Sequence, residues 1–190
     1  MYVHNCRRQA NSQTTHCSFS IGGNPIERVE SFSHLGHIIT SSLSDKEDVR
    51  SRRNCFIGQV NNMICFFSKL SCSTRTKLFQ AYCNSRYGCE LWSLYDNSIN
   101  EFDVAWRKAV RRVLNIPYDT HSNLIPLLVS NTLPFFDEIC KRSARFILSC
   151  IQSESSFVRS TVRYGIFVGR CNSFIRRNVV PLCSHFKWHR

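Results

Sequence analysis

Apolar positions along this chain change their period once. Cys17-Ser18-Phe19-Ser20-Ile21 alternates in period two, and Gly22-Gly23-Asn24-Pro25 supplies turn residues. Ile26 to Thr40 resumes an extended pattern, with Val29, Phe32 and Leu35 to Ile39 apolar. Two such runs around Gly-Gly and Asn-Pro predict a β-hairpin or short meander. Residues 1–16 are polar and lack periodicity, so they read as a loose lead-in.

Beyond Ser44 the period becomes helical. Ser44 with Glu47 three residues on is a capping-box arrangement. Val49, Phe56, Val60, Met63, Ile64, Phe67 and Leu70 then recur at helical spacing, which predicts one long helix from about Asp45 to Lys69. Asp45 to Asp48 should be exposed at its start. Ser73 is the expected cap of a second helix, with Leu78, Phe79, Tyr82, Tyr87, Leu91 and Trp92 as its apolar stripe. A third helix is predicted from about Ser98 to Asn115, and a short one from Asn123 to Val129. Leu133-Pro134 opens a fifth, with Pro tolerated in the first turn. Asp137/Lys141 and Glu138/Arg142 are acid-before-base i,i+4 pairs on it. Two shorter helical patterns follow, Ser155 to Val168 and Asn172 to Leu182.

The fold expected is mainly α, a helical bundle with a small N-terminal β-hairpin. Residues 17–42 form the hairpin, 43–155 the main helical region and 156–190 a basic helical tail. No internal repeat or low-complexity linker interrupts it.

Charge adds a function class. Lys plus Arg number 25 against 13 acids, a net charge of +12. That balance favours a polyanionic partner, nucleic acid first and an anionic membrane surface second. The longest unbroken apolar run, Met63 to Phe67, is far short of a membrane span. No secretory signal opens the chain, so its eleven cysteines read as reduced thiols, many of them buried. A soluble cytoplasmic or nuclear protein is expected.

The cations concentrate on the third helix. On a wheel of about 100° per residue, Ile99, Phe102, Trp106, Val110 and Val113 gather on one side. Arg107, Lys108, Arg111 and Arg112 fall on the other. Four cations on one face repel one another unless an anion sits opposite, and a phosphate backbone is the common answer. The bland alternative is a solvated charged face. Arg50, Arg52 and Arg53 follow the acids of the first helix, which simply suits a helix start with i,i+4 pairs. The 14 Phe, 6 Tyr and 3 Trp are core by default. Tyr118, after Pro117, is the best exposed candidate for base stacking, although packing is the expectation for it too.

Catalytic chemistry has no evident home here. No Asp-Asp pair is present to hold two Mg²⁺ ions, no Walker loop follows Gly22-Gly23, and no Gly-x-Ser-x-Gly elbow occurs. Cys171, Cys183, His185 and His189 share only one spacing with a usual zinc pattern, and Cys6, His16 and Cys17 are weaker. No metal site is expected, and no Cys/His dyad rises above background.

Three segments carry a resemblance. Ile26 to Thr40, through Phe32-Ser33-His34-Leu35-Gly36, is similar to an "F-x-Y-L-G" strand, with His34 in place of the usual Tyr. Leu78-Phe79-Gln80-Ala81-Tyr82-Cys83-Asn84-Ser85-Arg86-Tyr87-Gly88-Cys89-Glu90-Leu91-Trp92 is similar to "L-F-x-A-Y-C-x-S-x-Y-G-x-x-L-W". Ala105 to Ser122 is similar to "A-W-R-K-A-x-R-R-x-x-x-x-P-Y-x-T-H-S". In this order, over roughly residues 21–155, they resemble the region after the palm in non-LTR (LINE-like) retrotransposon reverse transcriptases.

The resemblance implies a helical thumb-like bundle and linker that grip RNA or an RNA–DNA duplex. It implies Leu35 and Gly36 near the primer end, and Arg107, Lys108, Arg111 and Arg112 as backbone contacts. The palm, with its paired aspartates and Mg²⁺, would lie upstream of Met1, so the chain alone is not expected to polymerise. On this reading Arg111→Ala with Arg112→Ala weakens duplex binding without unfolding the chain. Two rivals stand beside it: a repurposed helical module whose exposed docking surface takes a protein partner, and a translated relic without function.

Overall fold

The computed structural model describes residues 19–129, 133–167 and 174–186. They form a mainly helical protein with two small antiparallel hairpins at the N-terminal side. The first pairs β1 (Phe19–Ile21) with β2 (Asn24–Ile26) across Gly22-Gly23. Both glycines take positive φ, 58° and 83°, the region in which a side chain is strained. This hairpin belongs to one compact unit, and the described residues from Ser31 onward belong to a second.

The second unit starts with β3 (Ser31–His34) paired to β4 (His37–Thr40), in the register Phe32 opposite Ile39. α1 (Lys46–Phe67) follows, close to the predicted span. Its buried stripe is Val49, Phe56, Val60 and Met63, while Phe67 stays largely exposed. The capping box does not form. Asp45 takes the cap position without a side-chain cap bond, because its carboxylate accepts from the Ser93 amide instead, at 2.8 Å.

α2 (Cys72–Leu78) is capped by Ser71 rather than Ser73. The Ser71 hydroxyl accepts from the Thr74 amide at 3.3 Å, which satisfies one of the free donors of the first turn. The helix then loosens into a π turn, Phe79–Cys83, closed by the Asn84 amide donating to the Phe79 carbonyl at 3.0 Å. Here the long predicted stripe breaks. Gly88 adopts φ 80° ahead of a short 3₁₀ turn, Cys89–Leu91, and the chain reverses. Phe79 and Trp92 therefore face the core, whereas Tyr82 and Tyr87 are exposed.

α3 (Asn97–Leu114) begins at Asp96, whose side chain accepts from the Ser98 amide at 2.8 Å. It ends at Asn115 in the left-handed region, a frequent helix stop, with Pro117 just beyond. A 3₁₀ turn (Ser122–Leu124) leads into α4 (Ile125–Leu128). α5 (Phe135–Gln152), α6 (Ser156–Phe167) and α7 (Phe174–His185) complete the unit. On α5, Glu138 pairs with Arg142 as the spacing predicts, at 3.2 Å. Asp137 instead pairs with His185 of α7, at 3.1 Å.

The core is centred on rings. Phe102 of α3 lies 4.7 Å from Phe135 and 5.5 Å from Phe56, centroid to centroid, with Trp92 beside it. Trp106 is fully buried and donates its indole N–H to Asn84 at 3.1 Å. Offset and tilted ring pairs of this kind add to the burial of the rings themselves. Contacts between α1 and α3 fix their sense: Arg53 meets Glu101, Asn61 meets Arg112, and Cys72, just past α1, meets Leu114. The two helices thus run the same way.

Candidate nucleic-acid interface

The four cations predicted to share one face of α3 divide into two pairs. Counted from Ile99 at about 100° per residue, the apolar stripe runs from about 300° to 20°, and Arg107, Arg111, Lys108 and Arg112 sit near 80°, 120°, 180° and 220°. Angle alone does not separate them. Their contacts do.

Arg107 is bound to its own helix, where its guanidinium lies 3.2 Å from Asp103, one turn back. Partial burial raises the Asp103 carboxyl above its usual range, with Arg107 pulling the other way. Arg111 is only 9 % exposed. Its Nη2 donates to the Thr120 carbonyl at 2.8 Å and to the Ser122 hydroxyl at 3.3 Å, and its guanidinium lies 5.6 Å from the Tyr118 ring centre. The reading of Arg111 as an open phosphate contact is therefore corrected. Arg111 braces the loop after α3, and truncating it would disturb that loop.

Lys108 and Arg112 are exposed and line a groove of about 540 Å³ between α1 and α3. The Lys108 side chain makes no ion pair or hydrogen bond to another described residue. Arg112 donates to Asn61 Oδ1 at 2.7 Å, a neutral partner that leaves its charge uncompensated. The floor is apolar: Ile57 and Val60 from α1, Val104, Ala105 and Ala109 from α3. Arg53 closes one end, 2.6 Å from Glu101. Tyr118 stands at the groove as well and is 66 % exposed, not packed. Arg53, expected only as part of an acid-then-base helix start, lines the groove instead. Its signal was a second stripe on α1, Arg53, Ile57 and Asn61 at four-residue spacing, beside the core stripe.

Leu35 and Gly36 form the two-residue turn between β3 and β4, both with positive φ, 48° and 78°. That is the backbone a tight hairpin needs, but Leu adopts it under strain. Leu35 is 74 % exposed. These residues do not join the α3 cations: Leu35 lines a separate cleft of about 380 Å³ with Leu43, Asp45, Trp92 and Arg177.

The turn is held from below. Arg52 Nη2 donates to the Gly36 carbonyl at 2.6 Å, and its guanidinium lies over Tyr87. Asp48, expected at an exposed helix start, is 3 % exposed. Its carboxylate accepts from the Trp92 indole N–H at 2.8 Å and the Ile38 amide at 3.0 Å, and lies 3.0 Å from His37 Nδ1. Burial works to raise its pKa, but these hydrogen bonds prevail and hold it below the usual carboxylate range. Asp45 goes the other way. Burial raises it, and the bond from Ser93 only partly offsets that. Gly88 packs so closely on His37 that a Cβ there would overlap the imidazole ring.

Among the described residues no three His, Cys, Asp or Glu side chains come together as metal ligands. Cys171 and His189, and likewise Cys6, His16 and Cys17, lie outside the described residues. Burial pushes the Cys89 and Cys140 thiols up to about 12, so both are protonated and unreactive at neutral pH. No described helix is long and apolar enough to cross a membrane. No protein family, curated protein or solved structure matches this chain.

Proposed function

We propose that this chain binds nucleic acid along the α1–α3 groove, as the thumb part of a reverse transcriptase of the non-LTR retrotransposon type. RNA or an RNA–DNA duplex is its partner, and polymerisation, with its aspartates and Mg²⁺, belongs to a palm outside these residues. The observation that carries the reading is the exposed pair Lys108 and Arg112, one helical turn apart on a groove rim, with only a neutral amide for a partner. The net charge of +12 and the three segment resemblances support it.

A salt titration tests it. Removing one cation from a phosphate lowers the slope of log affinity against log salt by about 0.7 to 0.9. Lys108→Ala with Arg112→Ala should therefore flatten the slope by about 1.5 and leave the melting temperature unchanged. Equal slopes for the two proteins would remove this groove from the assignment.

A protein-binding module is the second reading. It is favoured by the apolar side chains exposed on the β3–β4 hairpin and just after it, Phe32, Leu35 and Leu43. Light scattering separates the two, since a salt-insensitive oligomer follows from this reading alone.

A further inference from the structure

The groove that carries the proposed nucleic-acid contact does not match the outside of a duplex. A duplex offers a partner helix mainly sugar and phosphate, with its bases paired and stacked away. Phosphates alone would leave the floor of Ile57, Val60, Val104, Ala105 and Ala109 facing a charged, hydrated backbone. Ile57 and Val104 are 37 % and 41 % exposed, so that apolar surface is presented to whatever binds. An unpaired base supplies a flat apolar face, and its own phosphate can reach the rim. At about 540 Å³ the groove falls within the roughly 300–1,000 Å³ of clefts that seat drug-sized ligands, enough for a nucleotide.

Tyr118 completes the arrangement. It stands at the groove, exposed, and the loop that bears it is pinned to α3 by the two Arg111 hydrogen bonds. The Arg111 guanidinium against its ring fixes it further. A ring held in place stacks on a base at little ordering cost, and base–aromatic stacking does not depend on sequence.

We infer that the α1–α3 groove takes a single strand, with a base stacked on Tyr118 and phosphates against Lys108 and Arg112. This rests on the nucleic-acid reading above. The strand's phosphates follow the Lys108–Arg112 edge, because Glu101 places a carboxylate at the opposite end. Arg111 is a positioning residue for the stack.

The experiment is fluorescence anisotropy of the full chain with a labelled twelve-nucleotide single-stranded RNA, and with an RNA–DNA duplex of the same length. The single strand should bind more tightly. Tyr118→Ala should weaken single-strand binding about tenfold, the usual scale of removing one stack, with the salt slope unchanged. Tyr118→Phe should restore it, since only the ring is needed. Val104→Glu, at a half-exposed floor position, should abolish it without altering the melting temperature.

Duplex binding as tight as single-strand binding, with Tyr118→Ala silent, would overturn the inference and leave the nucleic-acid reading standing. Absence of salt-dependent binding to either probe would overturn both. Binding of an acidic amphipathic helical peptide to the same groove, with neither nucleic acid bound, would make it a protein site and overturn both as well.

Discussion

The hairpin–helix junction and the α1–α3 groove are built on the same helix and use charge in opposite ways. At the junction, Asp48 is buried and occupied, with the Trp92 indole, the Ile38 amide and His37 around one carboxylate. In the groove, Lys108 and Arg112 stand open over an apolar floor. Charge that is buried and bonded shapes the fold, while charge left without a partner on a rim is available to a ligand. The α3 cations show the same division along one stretch of a single helix: Arg107 and Arg111 have partners in the fold, and Lys108 and Arg112 keep their charge uncompensated.

The comparison is easiest to break at Asp48. Asp48→Ala leaves the buried Trp92 N–H and the half-buried Ile38 amide without acceptors and should cost about 3 kcal/mol. Out of a typical total of ~5–15 kcal/mol this is a large fraction, readable in a urea melt. A melt like that of the parent protein would show the junction to be no more structural than the groove. The pH dependence sharpens the point. Since the folded pKa of Asp48 is depressed, its contribution is complete above the unfolded value near 4 and disappears as pH falls through the folded one. Asp45 is raised, so it costs stability as pH climbs from about 4 through its folded value. Asp48→Asn should flatten the acid limb of a stability–pH curve, and Asp45→Asn should not.

Gly88→Ala comes next. It strains a backbone at φ 80° and pushes a methyl into His37, for about 2 kcal/mol, measured by thermal unfolding. Arg111→Ala should cost about 2 kcal/mol by removing its charge-assisted bonds. A variant that instead kept full stability and lost nucleic-acid binding would return Arg111 to the open face. Smallest of all on stability is the pair Lys108→Ala and Arg112→Ala, within about 0.5 kcal/mol, as for other exposed surface positions. Any larger loss would mean that the rim is structural after all.

Much of this architecture was legible along the chain, and the failures share a cause. Val49, Phe56, Val60 and Met63, and likewise Phe102, Trp106, Val110 and Val113, are long stripes, and period alone placed α1 and α3 within a few residues. Tyr82 and Tyr87 misled because a π turn and a left-handed glycine interrupt the helix between them and the core, and neither changes the spacing of apolar letters. Asp45 and Asp48 looked like an ordinary acidic helix start. Their burial depends on Ile38, Trp92 and Ser93, which reach them only after the chain has folded back. Half of the candidate site was readable as Lys108 and Arg112. Arg53 left only the faint local stripe it shares with Ile57 and Asn61, and whether it and Tyr118 meet at one groove depends on where α1 lies against α3.

The shared direction of α1 and α3 has an electrical consequence. Antiparallel helices cancel their backbone dipoles, whereas these two add, so the groove has a positive and a negative pole. Its Arg53–Glu101 end lies toward the starts of both helices, and its Arg112 end toward their carbonyl ends. α1 carries no basic residue in its last turn, while α3 carries Arg111 and Arg112 in its own. Those two side chains compensate the negative pole where a polyanion would otherwise be repelled. The field that remains is graded along the axis, and it biases where along the groove a polyanion's charge settles.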